Sequence, residues 1–573
     1  MTTMIVPTID YDPARTTFVV RANFEDRHRC KAIPGRKFAG AGAWEAPSTD
    51  AAAEAIAGLF PDAHLTPPAQ ERIHALAAAH HQVAKMKHDG WANATPLAPM
   101  PVKDVTPFQH QVLGFNVGIT IPHSALLMEM GTGKTLTTVA VIGHRARVDD
   151  VRRVLIVAPA AVVPVWPREF AEYAAFDVDV AALQGPVTKR VKRLQEFPDR
   201  GVSDTVQIVV INYEAVRLMI DELAAWKPDM IVCDESQRIK GPGTKQSKAV
   251  HKLGTVARFR MILTGTPVTQ APLDYFSQYK FLDPAILGTN FASFKARYAI
   301  EVPLGETRHM KVVGYRMVSD LCERVHRIAY RVTKDECLDL PEFVDRVVPV
   351  TLPPAAQKLY EQIARDSVAE LAGGEEITAT NILTKLLRLQ QLTGGSITDD
   401  EGVSKLVHDA KLKAAVDLVS DVVDGGRKVV VFARFHRELD ELRARLEKHG
   451  VAWIDGRVNM QERGPMVERF QTDPECRVFI AQTQTAGLGI TLTAADTALF
   501  YSLDFSFANY DQARSRVHRI GQSSHVTNLH LIVPGTVDEA VLKVLDRKRN
   551  VADLVVGDRW QELFDGTVRV DDF

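Results

Sequence analysis

The sequence predicts an α/β fold: two lobes built on parallel sheets, a mainly helical insertion between them, and a small α+β module at the N-terminus. Two sets of short apolar runs carry this reading. The first comprises Leu155–Val157, Ile208–Ile211, Met230–Cys233 and Met261–Leu263; the second comprises Val429–Phe432, Val478–Ile480, Ala498–Tyr501 and Leu529–Val533. Runs that are apolar at consecutive positions are buried on both faces, and the helical stretches between them supply the cover. Size agrees, because 573 residues hold about three or four domains at roughly 150 residues each. With 46% hydrophobic and 24% charged residues, the chain can fill several cores and is not a disordered one.

In chain order, the first segment is basic. Arg15, Arg21, Arg27, Arg29, Lys31, Arg36 and Lys37 face only Glu25 and Asp26 between positions 15 and 38. Phe18-Val19-Val20 reads as a strand, Pro34-Gly35 as a turn, Ala51 to Phe60 as an Ala-rich helix, and Pro67-Pro68 as the end of this unit. The expected divisions are 1–66 for the module, 67–102 for a helical linker, 103–289 for the first lobe, 290–400 for the insertion and 401–573 for the second lobe. No run of about 18 apolar residues exists to span a membrane, and the N-terminus lacks a basic-then-apolar signal pattern. Five scattered cysteines without a CxxC pair argue against disulfides and zinc and fit a reducing cytoplasm. A net charge of −2 says nothing about nucleic acid, so local charge must be read instead.

The strongest chemical signal is Met130-Gly131-Thr132-Gly133-Lys134-Thr135, which follows apolar Ala125-Leu126-Leu127 and precedes the helix-like Leu136 to Ile142. Glycines let backbone N–H groups wrap a phosphate chain at a helix N-terminus; Lys134 reaches the β/γ-phosphates and the Thr135 hydroxyl ligates Mg²⁺. Met128 stands where the general pattern has its first glycine. The apolar strand Met230-Ile231-Val232-Cys233 ends in Asp234-Glu235, which places two carboxylates at the carboxyl edge of a parallel sheet. Alone, such a pair is usually a solvated loop start. Beside a phosphate loop, Asp234 is expected to hold the Mg²⁺ and Glu235 to orient or deprotonate the attacking water.

These blocks resemble motifs I and II of superfamily-two helicase-type ATPases, specifically the Swi/Snf-like branch, whose fold is a pair of RecA-like P-loop lobes. Phe108-Gln109-His110-Gln111, with Gly114 and Phe115, resembles the adenine-reading Q motif; Gln111 fits its spacing better, and Gln109 stays open. Val157-Ala158-Pro159 with Trp166 and Glu169-Phe170 resembles motif Ia, and Leu263-Thr264-Gly265-Thr266-Pro267 resembles motif III. Gln484-Thr485-Ala486-Gly487-Leu488-Gly489-Ile490 is similar to motif V, and Gln512 to Gln522, with Arg514, Arg516, His518, Arg519, Ile520 and Gly521, to motif VI. The resemblance covers residues 103 to about 550 and implies ATP and Mg²⁺ as cofactors, with Gly131, Thr132, Gly133, Gly489 and Gln111 at the nucleotide and Gln512 among the catalytic residues. It also implies DNA contacts at Pro159, Thr266 and Thr485. Arg516 and Arg519 lie three apart on an expected helix, so they would share a face and meet a γ-phosphate as arginine fingers. Gln237 departs from the branch's Asp-Glu-x-His pattern, which would alter coupling rather than hydrolysis, and Met128 replaces a common acidic residue. Residues 331–346, with Arg331, Lys334, Leu340 and Pro341, resemble the branch's helical insertion.

The N-terminal stretches Phe18 to Phe24, Ile33-Pro34-Gly35, Phe38 and Trp44-Glu45-Ala46-Pro47 resemble the HARP-type module, which contacts DNA structures. Arg27, Arg36 and Lys37 among aromatics suit phosphate contact with some base stacking; the bland alternative makes Phe38 and Trp44 core and the basic residues a solvated rim. The expected function is an ATP-dependent DNA helicase or translocase acting on duplex or forked DNA rather than RNA. The alternatives are a nucleotide-gated DNA-binding or scaffold protein and the motor subunit of a restriction or nuclease system. Intact Lys134, Asp234, Glu235, Arg516 and Arg519 speak against a scaffold, and the short stretch after motif VI speaks against a nuclease in the same chain.

Overall fold

A computed structural model describes residues 6–13, 17–198, 204–269, 271–303, 310–338, 343–372, 379–398, 404–488, 490–519, 522 and 524–556. Arg15, Leu340, Pro341, Gly489, Ile520 and Gly521 from the sequence reading lie outside these residues. Two compact units emerge; the first takes in the chain up to Cys337 and the second spans Leu338–Asn550.

In the first unit, seven parallel strands lie in the order β14-β6-β11-β10-β7-β9-β8. They are β6 (His123–Met128), β7 (Arg153–Ala158), β8 (Val178–Ala182), β9 (Val206–Asn212), β10 (Met230–Asp234), β11 (Phe259–Leu263) and β14 (Ala329–Val332). Every residue of β6 is buried, as a strand covered by helices on both faces must be. Register aligns the carboxyl ends: Asp234 pairs with Leu263, Leu263 with Leu126, and Val332 with Met128. That alignment builds the site. The second unit has a six-stranded parallel sheet, β15-β22-β21-β18-β20-β19, formed by β15 (Phe343–Pro349), β18 (Val429–Ala433), β19 (Val451–Ile454), β20 (Val478–Gln482), β21 (Thr497–Phe500) and β22 (Val526–Ile532). Two antiparallel pairs complete the strands: β12 (Ala299–Pro303) with β13 (Met310–Tyr315), and β16 (Ser396–Thr398) with β17 (Ser404–Leu406).

The expected insertion at 290–400 is not a separate helical body. It contains helices, including Pro354–Ala372 and Ala379–Thr393. However, β14 is an edge strand of the first sheet and β15 an edge strand of the second, so Arg331 lies in the first unit's sheet. Edge strands face only one neighbour and tolerate polar residues, which is why neither reads as an apolar run.

The N-terminal module has a five-stranded sheet in the order β3-β4-β2-β1-β5. Its strands are β1 (Thr8–Asp12), β2 (Thr17–Arg21), β3 (Lys37–Gly40), β4 (Ala43–Pro47) and β5 (His64–Leu65). The Ala-rich helix Asp50–Leu59 is capped by the Thr49 hydroxyl, which accepts from Ala52 N–H at 3.3 Å. Pro67-Pro68 does not end the unit. The two prolines occupy the first turn of a 23-residue helix, Pro67–Asp89, where a missing N–H costs nothing. That helix buries Ala69 and Leu76 in the module core and Val83 in the core of the large sheet. Among the described residues, no helix is long and apolar enough to cross a membrane, and no three His, Cys, Asp or Glu side chains group as a metal site.

Removing residues 1–66 would strip the module-facing side of this helix. Hydrogen exchange on the shortened chain should then show lost amide protection around positions 69–83. Unchanged protection would restore the boundary expected at Pro67-Pro68.

Candidate active site

The residues that follow β6, β10, β11 and β14 meet at one edge of the first sheet. The phosphate loop after β6 turns through Gly131 (φ +86°) and Gly133 (φ +90°), and Gly133 caps the helix Lys134–Val148. The left-handed conformation at Gly133 favours glycine, and a Cβ there would lie 2.0 Å from Gln111 Nε2 and displace that amide. The Lys134 ammonium donates to the carbonyls of Met128 (2.8 Å) and Glu129 (3.2 Å). Burial holds its pKa below the usual lysine range, opposed by the negative charges of Glu235, Asp234 and Glu129. The Thr132 hydroxyl donates to Glu129 O at 2.8 Å, and Thr135 lies in the first turn of the helix.

Gln111, not Gln109, reaches the loop. Its Nε2 donates to Thr132 O at 3.1 Å, and its Oε1 accepts from Phe108 N–H at 3.0 Å. A second amide N–H remains for a ligand. His110 joins it, with Nε2 2.8 Å from the same Thr132 carbonyl. Phe108 is 50% exposed and lies nearly parallel over His110 at 5.7 Å, an aromatic face beside the loop.

Asp234 ends β10. Burial pushes its carboxyl up to about 7, Glu235 adds to the rise, and Lys134 and the Trp166 indole oppose it. The Trp166 N–H donates to Asp234 Oδ2 at 3.2 Å, and the Tyr213 hydroxyl donates to Asp234 O at 2.8 Å. Glu235 adopts left-handed backbone angles (φ 52°, ψ 54°), a conformation that costs a non-glycine residue on the order of 1 kcal/mol and collects at functional sites. Gln237 Nε2 donates to Glu235 Oε2 at 2.7 Å, while its Oε1 accepts from the Thr264 hydroxyl at 2.8 Å. Gln237 thus bridges the acidic pair to the loop after β11. Gly265 in that loop packs so closely that a Cβ would lie 3.1 Å from Met130 N.

The donor set fits a hard divalent cation held with a polyphosphate: a hydroxyl at Thr135, a carboxylate at Asp234, and backbone N–H groups at a helix start. Sequence reading missed Tyr213 and the contact of Lys334 with Glu129, Nζ to Oε1 3.3 Å. Tyr213 follows the apolar run Ile208–Ile211, a positional signal that was available, whereas Lys334 follows β14, which does not read as a strand.

The second unit places its residues differently from expectation. Arg516 is buried on the helix Phe507–Val517, and Gln512 is half-buried there. The helix ends before Arg519, because His518 leaves helical geometry at ψ 89°. Arg516 and Arg519 therefore do not share a helix face. Arg519 Nη1 instead donates to Thr491 Oγ1 at 3.2 Å, and Gln522 Nε2 stitches the turn to Ala495 O at 2.7 Å. Thr485 turns its hydroxyl to Gln482 O at 2.7 Å. Of the residues expected to touch DNA, Pro159 is buried and Thr266 is only 7% exposed. In the module, Arg27, Arg36 and Lys37 are exposed, as are Phe24 (82%) and Phe38 (61%). Phe38 is therefore not core; it leans on half-buried Trp44 at 5.0 Å.

Residues 108–394 match the model of the SNF2-related domain, and residues 410–521 match that of the helicase conserved C-terminal domain. An uncharacterised ATP-dependent helicase of Mycoplasma genitalium is 27% identical over 427 residues, covering 74% of this chain and 39% of that protein. A RAD54-like DNA repair and recombination protein of Drosophila persimilis is 25% identical over 470 residues, covering 75% of this chain and 60% of its own. The chain thus spans less than two thirds of either relative. The solved SWI2/SNF2 ATPase core of Sulfolobus solfataricus in complex with dsDNA is 25% identical, with 81% of this chain and 96% of that one covered and a TM-score of 0.39. The SNF2-related match spans half of the sequence, and the chain belongs to that family.

Proposed function

We propose that this chain is an ATP-driven motor on DNA, hydrolysing ATP at the edge of the first sheet and using the cycle to move along or remodel duplex or forked DNA. The observation that carries the reading is the meeting of Lys134, Asp234 and Glu235, with Gln111 behind the phosphate loop. Thr135 and Asp234 would hold Mg²⁺, which would supply positive charge to offset that of the phosphates. Lys134 exchanges its two backbone carbonyls for phosphate oxygens. Glu235 orients the attacking water and accepts its proton, and Gln237 fixes that carboxylate through its 2.7 Å bond. Because Gln237 also holds Thr264, a shift in the loop after β11 would reach the base directly. Arg516 and Arg519 are assigned to the second unit's share of the work, stabilising the transferred phosphoryl group, the role their motif implies. The relatives' names, an ATP-dependent helicase and a DNA repair and recombination protein, support this class of activity.

DNA contact is assigned first to the module, as its HARP-like sequence implies. Arg27, Arg36 and Lys37 offer charge, and Phe24 and Phe38 offer exposed rings. Charges that neutralise phosphates release counterions; rings that stack do not. The two contributions are therefore separable.

Lys134→Ala and Glu235→Gln should both abolish ATP turnover by different routes. The lysine variant should lose nucleotide affinity, whereas Glu235→Gln should keep it and retain unhydrolysed ATP. Equilibrium binding beside a turnover assay checks both, and near-wild-type turnover in either contradicts the assignment. Replacing Arg27, Arg36 and Lys37 together by alanine should flatten the log–log salt dependence of DNA binding by roughly 2.7, at about 0.9 per duplex phosphate. Phe24→Ala with Phe38→Ala should weaken binding while leaving the slope unchanged. An unchanged slope in the triple variant would make the basic residues a solvated rim.

A further inference from the structure

β14 is clamped at both ends by contacts that the proposed hydrolysis does not use. At its start, the Lys87 ammonium donates to the carbonyls of His326 and Ala329, the latter at 3.2 Å. Arg327 pairs with Asp50 and with Glu54, the latter at 2.7 Å, on the module's Ala-rich helix. Beyond its other end, Lys334 is 3% exposed, with its ammonium 3.3 Å from Glu129 Oε1 and its backbone N–H donating to Glu129 Oε2 at 2.9 Å. Between the clamps the strand pairs along its length with β6, and Glu129 N–H donates to Val332 O at 2.9 Å. A four-residue strand so paired leaves little room for its two ends to move independently.

Glu129 opens the phosphate loop. Its carbonyl accepts from the Thr132 hydroxyl and from Lys134. When Lys134 turns to a phosphate, the second bond is lost, and the Glu129 side chain, pinned by Lys334, keeps the start of the loop in place. A buried cation whose partner is removed is costly, so this pair favours one loop geometry over others.

We propose that Lys334 is a positioning residue that acts through Glu129 on the phosphate loop, and that β14 carries the docking of the N-terminal module to the nucleotide site. The proposal rests on nucleotide binding at that loop. The test uses the full chain and an ADP analogue bearing an N-methylanthraniloyl fluorophore, read at equilibrium and by stopped-flow dissociation. Lys334→Met should weaken binding about tenfold, and adding Glu129→Gln should restore it to within about threefold by removing the negative charge that has lost its ammonium partner, as directly coupled pairs do. A purely structural loss would not be rescued by a second substitution. Should Lys334→Met fail to fold, Glu129→Gln alone reports the same pair, with weakening of about threefold expected. Lys87→Met and Arg327→Ala should each change the analogue's dissociation rate by about threefold or more, although neither residue touches the loop. Unchanged binding in Lys334→Met or in Glu129→Gln, or no rescue in the double variant, overturns the positioning role. Unchanged dissociation in both Lys87→Met and Arg327→Ala overturns the coupling. A wild-type chain that does not bind the analogue overturns the nucleotide reading itself, a result distinct from these.

Discussion

The in-register parallel pairing of β14, β6, β11 and β10 is the constraint from which the chemistry follows. Strands covered on both faces are mostly apolar, so polar groups collect where the strands end. Because Asp234 pairs with Leu263, Leu263 with Leu126, and Val332 with Met128, four loops begin at the same level. The phosphate loop, the acidic pair, the Thr264–Pro267 loop and Lys334 are neighbours for that reason. A slip of one residue in any pairing would turn a strand's side chains to the wrong face and separate them.

Concentrating charge at such an edge is expensive, and the surrounding contacts limit the cost. Burial disfavours the charged forms of both Asp234 and Lys134, and their mutual attraction opposes that. Trp166 and Tyr213 fix Asp234, Gln237 fixes Glu235, and Lys334 fixes Glu129. Each partner removes a conformation the site would otherwise sample, the preorganisation that phosphoryl transfer relies upon. The substitution of glutamine for the branch's histidine at 237 keeps a donor and an acceptor. Its two bonds, to Glu235 and Thr264, preserve a link between the acidic pair and the next loop.

Much of this was legible in the sequence because the signals are local. Ile208–Ile211 and Val429–Ala433 are continuous apolar runs, and Gly131 to Thr135 carries its own steric logic. Edge strands were hidden: Val178–Ala182 alternates, β14 contains an arginine, and β15 carries Asp345 and Arg346 with Val344 and Val347 exposed. Pro67-Pro68 was ambiguous, since proline both ends one element and starts another, and only the burial of Ala69, Leu76 and Val83 decides. Arg519 looked helical until the chain turned at His518. The pairing of Glu129 with Lys334 joins positions 205 residues apart, and no periodicity or spacing rule reaches that far.

ATP turnover by the full chain, compared without nucleic acid and with single-stranded DNA, plain duplex, forked DNA and RNA, decides whether the chain is a motor on DNA. Turnover should be low alone, rise most with duplex or forked DNA, and respond weakly to RNA. No turnover under any condition would make the site a nucleotide gate rather than an engine, and equal or greater stimulation by RNA would contradict a motor on DNA.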